Sequence, residues 1–142
     1  QTLAVAESCT GGAISKMLTA ISGASGYFVG GIVAYQASIK ISELNVTKEL
    51  IERFSVVSSE VTEAMAIGIQ QKYKSHYAIA TTGNAGPTTD LTGTTVGTVF
   101  IAIATPTKVF SKEYFLGKPR EKVIERASNK ALELLRKEIL KN

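Results

Sequence analysis

The spacing of apolar and polar positions changes several times along the chain, and each change marks an expected element. Residues 2–7 form a short apolar run of strand length, which stops at Ser8-Cys9-Thr10-Gly11-Gly12. Ile14, Met17, Leu18 and Ile21 then return at helical spacing, so a strand, a glycine turn and a helix are expected in succession. Ser22-Gly23-Ala24-Ser25-Gly26 breaks that helix, and residues 30–35 read as a second strand ending at Tyr35. Residues 38–44 suit a short helix. Thr47 can cap another that runs through Arg53, with Glu49 in its first turn. Ser58 or Ser59 can cap a longer helix whose Val61, Ala64, Met65, Ile67, Gly68 and Ile69 face inward. A third strand over residues 77–81 runs into Gly83-Asn84-Ala85-Gly86-Pro87, followed by a polar loop over residues 88–95. Residues 96–104 and 108–116 read as a hairpin turning at Thr105-Pro106-Thr107. A last helix starting at Pro119 carries Val123, Ile124, Ala127, Ala131, Leu134 and Leu135 on one face.

This order, with strands that do not alternate cleanly between apolar and polar, predicts an α/β fold whose sheet is covered by helices on both faces. The hairpin requires at least one antiparallel pairing. A length of 142 residues argues for a single domain, residues 1–142, and 44% hydrophobic residues suffice for a packed core. No window approaches 18 consecutive apolar residues, which excludes a helical membrane span, and residues 1–6 lack the basic start of a secretory signal. One cysteine, Cys9, permits no internal disulfide, so a cytoplasmic setting is expected. With one Cys and one His, a Cys/His zinc site within the chain is out of reach, and a Ser-His-Asp triad would have to use His76. His76 stands just before a strand with no nucleophile beside it and is expected at the surface. Neither a Walker A pattern nor a G-x-G-x-x-G is present.

The net charge of +4 resides wholly in the last segment: residues 118–142 hold eight Lys/Arg against four Asp/Glu, and the rest of the chain balances at eight each. Such a segment can attract phosphate groups, or it can be a solvated helix face laced with pairs such as Glu121 and Glu125 beside Lys122 and Arg126.

In sheets of this kind ligands gather beyond the carboxyl ends of strands, where three segments fall: residues 8–12, 35–40 and 82–87. Ser8 stands where a strand turns into a helix. The backbone N–H groups of Thr10, Gly11 and Gly12 would be unpaired there and available to an anion or oxyanion, unless Ser8 or Thr10 is simply the N-cap. Cys9 reads as a small buried filler, since nothing near it in sequence lowers its pKa. Tyr35 and Lys40 lie five apart. A lysine buried against a serine and a tyrosine can serve as the base for a hydroxyl nucleophile, a substitute for histidine in a chain almost without it. A surface lysine whose stem lies along the protein is the alternative. Gly83, Ala85 and Gly86 form a compact turn able to admit a flat ring or a phosphate, or only to make a tight connection.

Together, Ala6-Glu7-Ser8-Cys9-Thr10-Gly11-Gly12, Gly83-Asn84-Ala85-Gly86-Pro87 and Val96-Gly97-Thr98-Val99 resemble the CinA C-terminal domain, the nicotinamide-nucleotide amidase family also called NMN deamidase or PncC. The resemblance runs over nearly the whole chain. It implies a three-layer α/β/α sandwich around a mixed, mostly parallel sheet, and hydrolysis of nicotinamide mononucleotide to nicotinate mononucleotide and ammonia. It further implies no metal or other cofactor, a cytoplasmic homodimer, and a small nucleotide as substrate. The family's catalytic serine, tyrosine and lysine fall on Ser8, Tyr35 and Lys40. The nucleotide pocket falls on Thr10, Gly11, Gly12, Gly83, Ala85 and Gly86, and the phosphate-facing arginine has its nearest match in Arg120.

Two departures stand out. Gly117-Lys118-Pro119-Arg120 has a lysine where the family places aspartate and one residue more, and Thr88-Thr89-Asp90 replaces the glycine pair that commonly follows A-G-P. By the same resemblance a helix would precede the first strand and an N-terminal molybdopterin-binding-like domain often accompanies it, so an excised C-terminal domain is expected. Two other functions fit the sequence less closely. One is a catalytically silent pyridine-nucleotide-binding regulatory domain. The other is a nucleic-acid-binding protein, against which stand the acidic residues alternating with basic ones in the last helix and its lack of interleaved aromatics.

Overall fold

The computed structural model describes residues 1–90 and 93–141. Strands β1 (Leu3–Glu7), β2 (Phe28–Val33), β3 (Tyr77–Gly83), β4 (Thr98–Ala104) and β5 (Val109–Phe115) form one sheet in the order β2-β1-β3-β4-β5. β1 pairs in parallel with β2 and β3, while β4 is antiparallel to both β3 and β5. Four strands therefore run one way and β4 alone runs against them.

The strands alternate after all, in size rather than polarity. Leu3, Val5, Ile79, Ile101 and Ile103 face one side of the sheet; Ala4, Ala6, Ala78, Ala80, Ala102 and Ala104 face the other. On the large-residue side pack α1 (Ala13–Thr19), through Ile14 and Leu18, and α5 (Arg120–Leu140), through Val123, Ala127, Ala131, Leu134 and Leu135. Against the alanine face packs α4 (Ser59–Tyr73), through Val61, Met65, Ala66 and Ile69, while α2 (Ala37–Leu44) packs on α4 and brings Leu44 into the same core. Helix α3 (Lys48–Phe54) joins them and is capped by Thr47, whose hydroxyl accepts from Leu50 N; Ser58 caps α4 in the same way. The result is a three-layer sandwich with two separate cores.

Several boundaries differ from the sequence reading, each for a local reason. β2 begins at Phe28 and ends at Val33, which leaves Tyr35 in the loop before α2. Helix α1 stops at Thr19, so Ile21 falls outside it and is 67% exposed rather than part of the apolar stripe. Pro119 is the cap of α5 rather than its first residue. In the β4–β5 connection the Thr105 hydroxyl accepts from the amides of Thr107 and Lys108, which tightens the expected turn. His76 is exposed and accepts a hydrogen bond from Thr2 N. Residues 91 and 92 of the polar loop lie outside the described residues.

Candidate active site

Register brings the site together. β1 and β3 end side by side, with Glu7 opposite Thr81, so the turn after β1 and the turn after β3 share one edge of the sheet. Ser8 follows β1 and turns to the alanine side, where α2 delivers Lys40. The turn continues through Gly11 and Gly12, whose φ angles of +59° and +101° favour glycine. Gly12 is the N-cap of α1 and, lacking a side chain, offers no capping oxygen of its own. The alternative in which Ser8 or Thr10 is the cap therefore falls. Of the three amides expected to be unpaired, that of Gly11 closes a turn onto Ser8 O (3.0 Å). Those of Thr10 and Gly12 have no protein acceptor among the described residues.

Lys40 has 0% of its surface exposed, which removes the surface-lysine alternative. Its Nζ donates to Ala34 O (2.8 Å), Tyr35 O (3.0 Å) and Ser8 Oγ (3.0 Å). Two of these partners are carbonyls that can only accept; the third is a hydroxyl that can also give a proton. A neutral Lys40 would keep its two N–H bonds to the carbonyls and turn its lone pair on Ser8. Burial pushes its pKa down from 10.5 to about 8, so about a tenth of it is neutral at pH 7. Cys9 beside it is buried, and desolvation drives its thiol up to about 12. That thiol is a filler in character, as its sequence setting indicated.

A cavity of about 440 Å³ opens in front of Ser8, lined by Tyr35, Val56, Val57, Gly83, Asn84, Ala85 and Arg120 among others. Tyr35 is 56% exposed; it meets Lys40 through its backbone oxygen, while its hydroxyl accepts from Arg120 Nη2 (2.9 Å). Arg120 also donates through Nη1 to Gly86 O (2.7 Å), so it ties the start of α5 to the turns after β2 and β3. Asn84 organises the last of these: Oδ1 accepts from Gly86 N, and Nδ2 donates to Thr88 O and Thr94 O. Gly86 has φ +85°, and a Cβ there would lie 2.6 Å from Val96 Cγ1.

Four residues escaped the sequence reading as contributors to the site. Val56 and Val57 form an apolar wall from the loop before α4, for which no sequence signal existed. Glu7 and Thr81 are buried polar residues behind the serine turn. A carboxylate closing an otherwise apolar strand was the available signal for Glu7. Among the described residues no group of three or more His, Cys, Asp or Glu converges, and no helix is long and apolar enough to cross a membrane.

A family model described as the CinA C-terminal domain matches residues 1–139. CinA-like proteins of Flavobacterium psychrophilum and Nostoc punctiforme are 55% and 43% identical, each over 99% of this chain and 34% of their own length. The chain thus spans about a third of these relatives. Among solved structures, the competence damage-inducible protein A (ComA) from Klebsiella pneumoniae matches with a TM-score of 0.95 at 30% identity, over 98% of this chain and 86% of that one. The competence/damage inducible protein CihA from Agrobacterium tumefaciens matches with a TM-score of 0.89 at 33% identity, over 94% and 82%.

Proposed function

The chain belongs to the CinA C-terminal domain family, and we propose that it hydrolyses the carboxamide of nicotinamide mononucleotide to nicotinate mononucleotide and ammonia. One observation carries this reading: among the described residues, the only hydrogen-bond partner of Lys40 Nζ able to give up a proton is Ser8 Oγ. In the proposed reaction Lys40, entering neutral, takes the hydroxyl proton of Ser8 as Oγ attacks the carboxamide carbon. Free amides of the turn after Ser8 stabilise the oxyanion, an effect of about 3 kcal/mol per donor in other enzymes. Lys40 returns the proton to the departing amine, and ammonia leaves an ester on Ser8. Water then attacks the ester carbon, gives its proton to Lys40, and the serine oxygen recovers it. Arg120 or Lys118 is the group proposed to meet the 5′-phosphate, with Gly83, Ala85 and Gly86 beside the nucleotide. Tyr35 supports the site from both ends, its carbonyl on Lys40 and its hydroxyl on Arg120.

Ammonia release from nicotinamide mononucleotide, measured with chelator present, tests the proposal. The wild-type chain is expected to release ammonia and Ser8→Ala to lose at least a thousandfold in kcat. Binding of the nucleotide without release would replace the amidase by a regulatory binding domain.

A further inference from the structure

We infer that Glu7 is a positioning residue for Ser8, acting through Thr10 and Thr81; the inference rests on the proposed role of Ser8 as nucleophile. Glu7 is buried at the end of β1. A carboxylate in that position is tolerated only with its lone pairs satisfied. Four donors satisfy it: Oε1 accepts from Thr10 Oγ1 (2.7 Å) and Ile14 N (2.9 Å), and Oε2 from Ser15 N (2.9 Å) and Ser15 Oγ (2.7 Å).

The chemistry of these groups sets the direction of the bonds beyond them. Thr10 has one hydroxyl proton, and it goes to Glu7. Thr10 Oγ1 must therefore accept in its 2.9 Å contact with Thr81 Oγ1, so Thr81 donates. With its own proton spent, Thr81 Oγ1 is left as an acceptor, and Ser8 N lies 3.3 Å away, shared with Thr81 O at 3.2 Å. A single chain runs from the amide of Ser8 through two threonines to the carboxylate, and such chains strengthen one another in a buried setting.

Helix capping accounts for only part of this. The bonds to Ile14 N and Ser15 N satisfy the open end of α1, a task a small polar residue at position 12 would also perform. The link through Thr10 and Thr81 serves no capping purpose. It fixes the backbone on both sides of Ser8, and with it the direction of Oγ and of the amides that follow. Of its members, neither Glu7 nor Thr81 is a catalytic residue. Thr81 has 0% of its surface exposed and cannot touch a substrate.

Thr81→Val separates the roles, because it leaves every bond of Glu7 in place and breaks the chain in the middle. Its kcat for ammonia release is expected to fall about tenfold with KM within twofold and a cooperative thermal transition retained. Thr81→Ser, which restores the hydroxyl, is expected to recover kcat to within twofold. Glu7→Gln, whose amide would set N–H against N–H, is expected to lose more. A Thr81→Val enzyme with wild-type kcat, or one in which KM alone rises, overturns the inference. A second readout is independent of the amide substrate: the rate at which a fluorophosphonate labels Ser8, followed by intact mass. Wild-type protein that is labelled but releases no ammonia refutes the amidase while leaving the positioning chain testable by the same substitutions. Equal labelling of wild type and Thr81→Val overturns the inference on its own, as does failure of the wild type to be labelled at all.

Discussion

Lys40, the proposed base, is expected to set the pH behaviour of the site, and its burial carries a cost in stability. A neutral fraction of about a tenth at pH 7 is some 300-fold above that of an ordinary lysine. If Lys40 is the base, kcat/KM rises with pH and levels off above about 8, and Lys40→Ala lowers it at least a hundredfold. A pH–rate profile checks both. The same shift acts on folding. Because the folded pKa lies below 10.5, the unfolded chain binds more protons between about 8 and 10.5, and stability contributed by this group rises with pH across that window. Below pH 8 the full penalty of about 3 kcal/mol is present. The difference in unfolding free energy between Lys40→Met and wild type should therefore shift in favour of wild type by about that amount between pH 8 and 10.5. Denaturant melts at a series of pH values measure it, and a pH-independent difference would rule the burial penalty out. The five-residue spacing of Tyr35 and Lys40 was visible in the sequence, but a lysine's burial is not. It follows from α2 packing against α4 beside the end of β1, where Lys40 Nζ meets Ser8 Oγ and the carbonyls of Ala34 and Tyr35.

At the scale of elements, the alternation of large and small residues in the strands is the feature the sequence held in plain view. Leu3-Ala4-Val5-Ala6, Tyr77-Ala78-Ile79-Ala80 and Ile101-Ala102-Ile103-Ala104 alternate large with small, a period of two hidden from a search for apolar against polar. The alanines let α4 sit close to the sheet, and Gly68 lets α2 sit close to α4. A Cβ on Gly68 would fall inside contact distance of Leu44 O and 2.8 Å from Leu44 C, both backbone atoms that cannot rotate away. Leu44 closes the helix that carries Lys40, one turn along. Gly68→Ala is expected to cost roughly 2 kcal/mol, seen as a fall of several degrees in Tm, and to reduce ammonia release beyond what the stability loss explains. Gly26→Ala, where a Cβ meets open space, is the control and should change neither. The helices and hairpin were legible from spacing and caps. Ile21 and the end of β2 were not, because an apolar residue past a helix end reads the same as one inside it.

Across the whole molecule, the basic excess of residues 118–142 is dispersed rather than gathered. Lys122 pairs with Glu125 (3.4 Å), Lys137 with Glu133 (3.1 Å) and Lys141 with Glu138 (3.2 Å). Glu138 also takes Lys108 at 2.9 Å. Arg126 donates to Leu116 O and Lys118 O, holding the turn before α5, and Arg120 faces the cavity. Lys130 stacks near the ring of Tyr114 and lies about 120° around the helix from Arg136 at 3.6 residues per turn. One small groove gathers Lys112, Lys130 and Lys137, but Glu133 lies among them and pairs with Lys137. A surface that neutralises Z phosphates shows a salt slope of about −0.9Z on duplex DNA, so the three dispersed cations Lys118, Lys130 and Arg136 predict a slope no steeper than about −3. Binding should be undetectable at micromolar protein in 150 mM salt. A fluorescence-anisotropy titration of duplex DNA over a range of salt concentrations measures that slope directly. A slope near −6 with retained affinity at physiological salt would mean that the ion pairs along α5 open to release their lysines. Otherwise the cation of this segment that lines the cavity in front of Ser8 is Arg120.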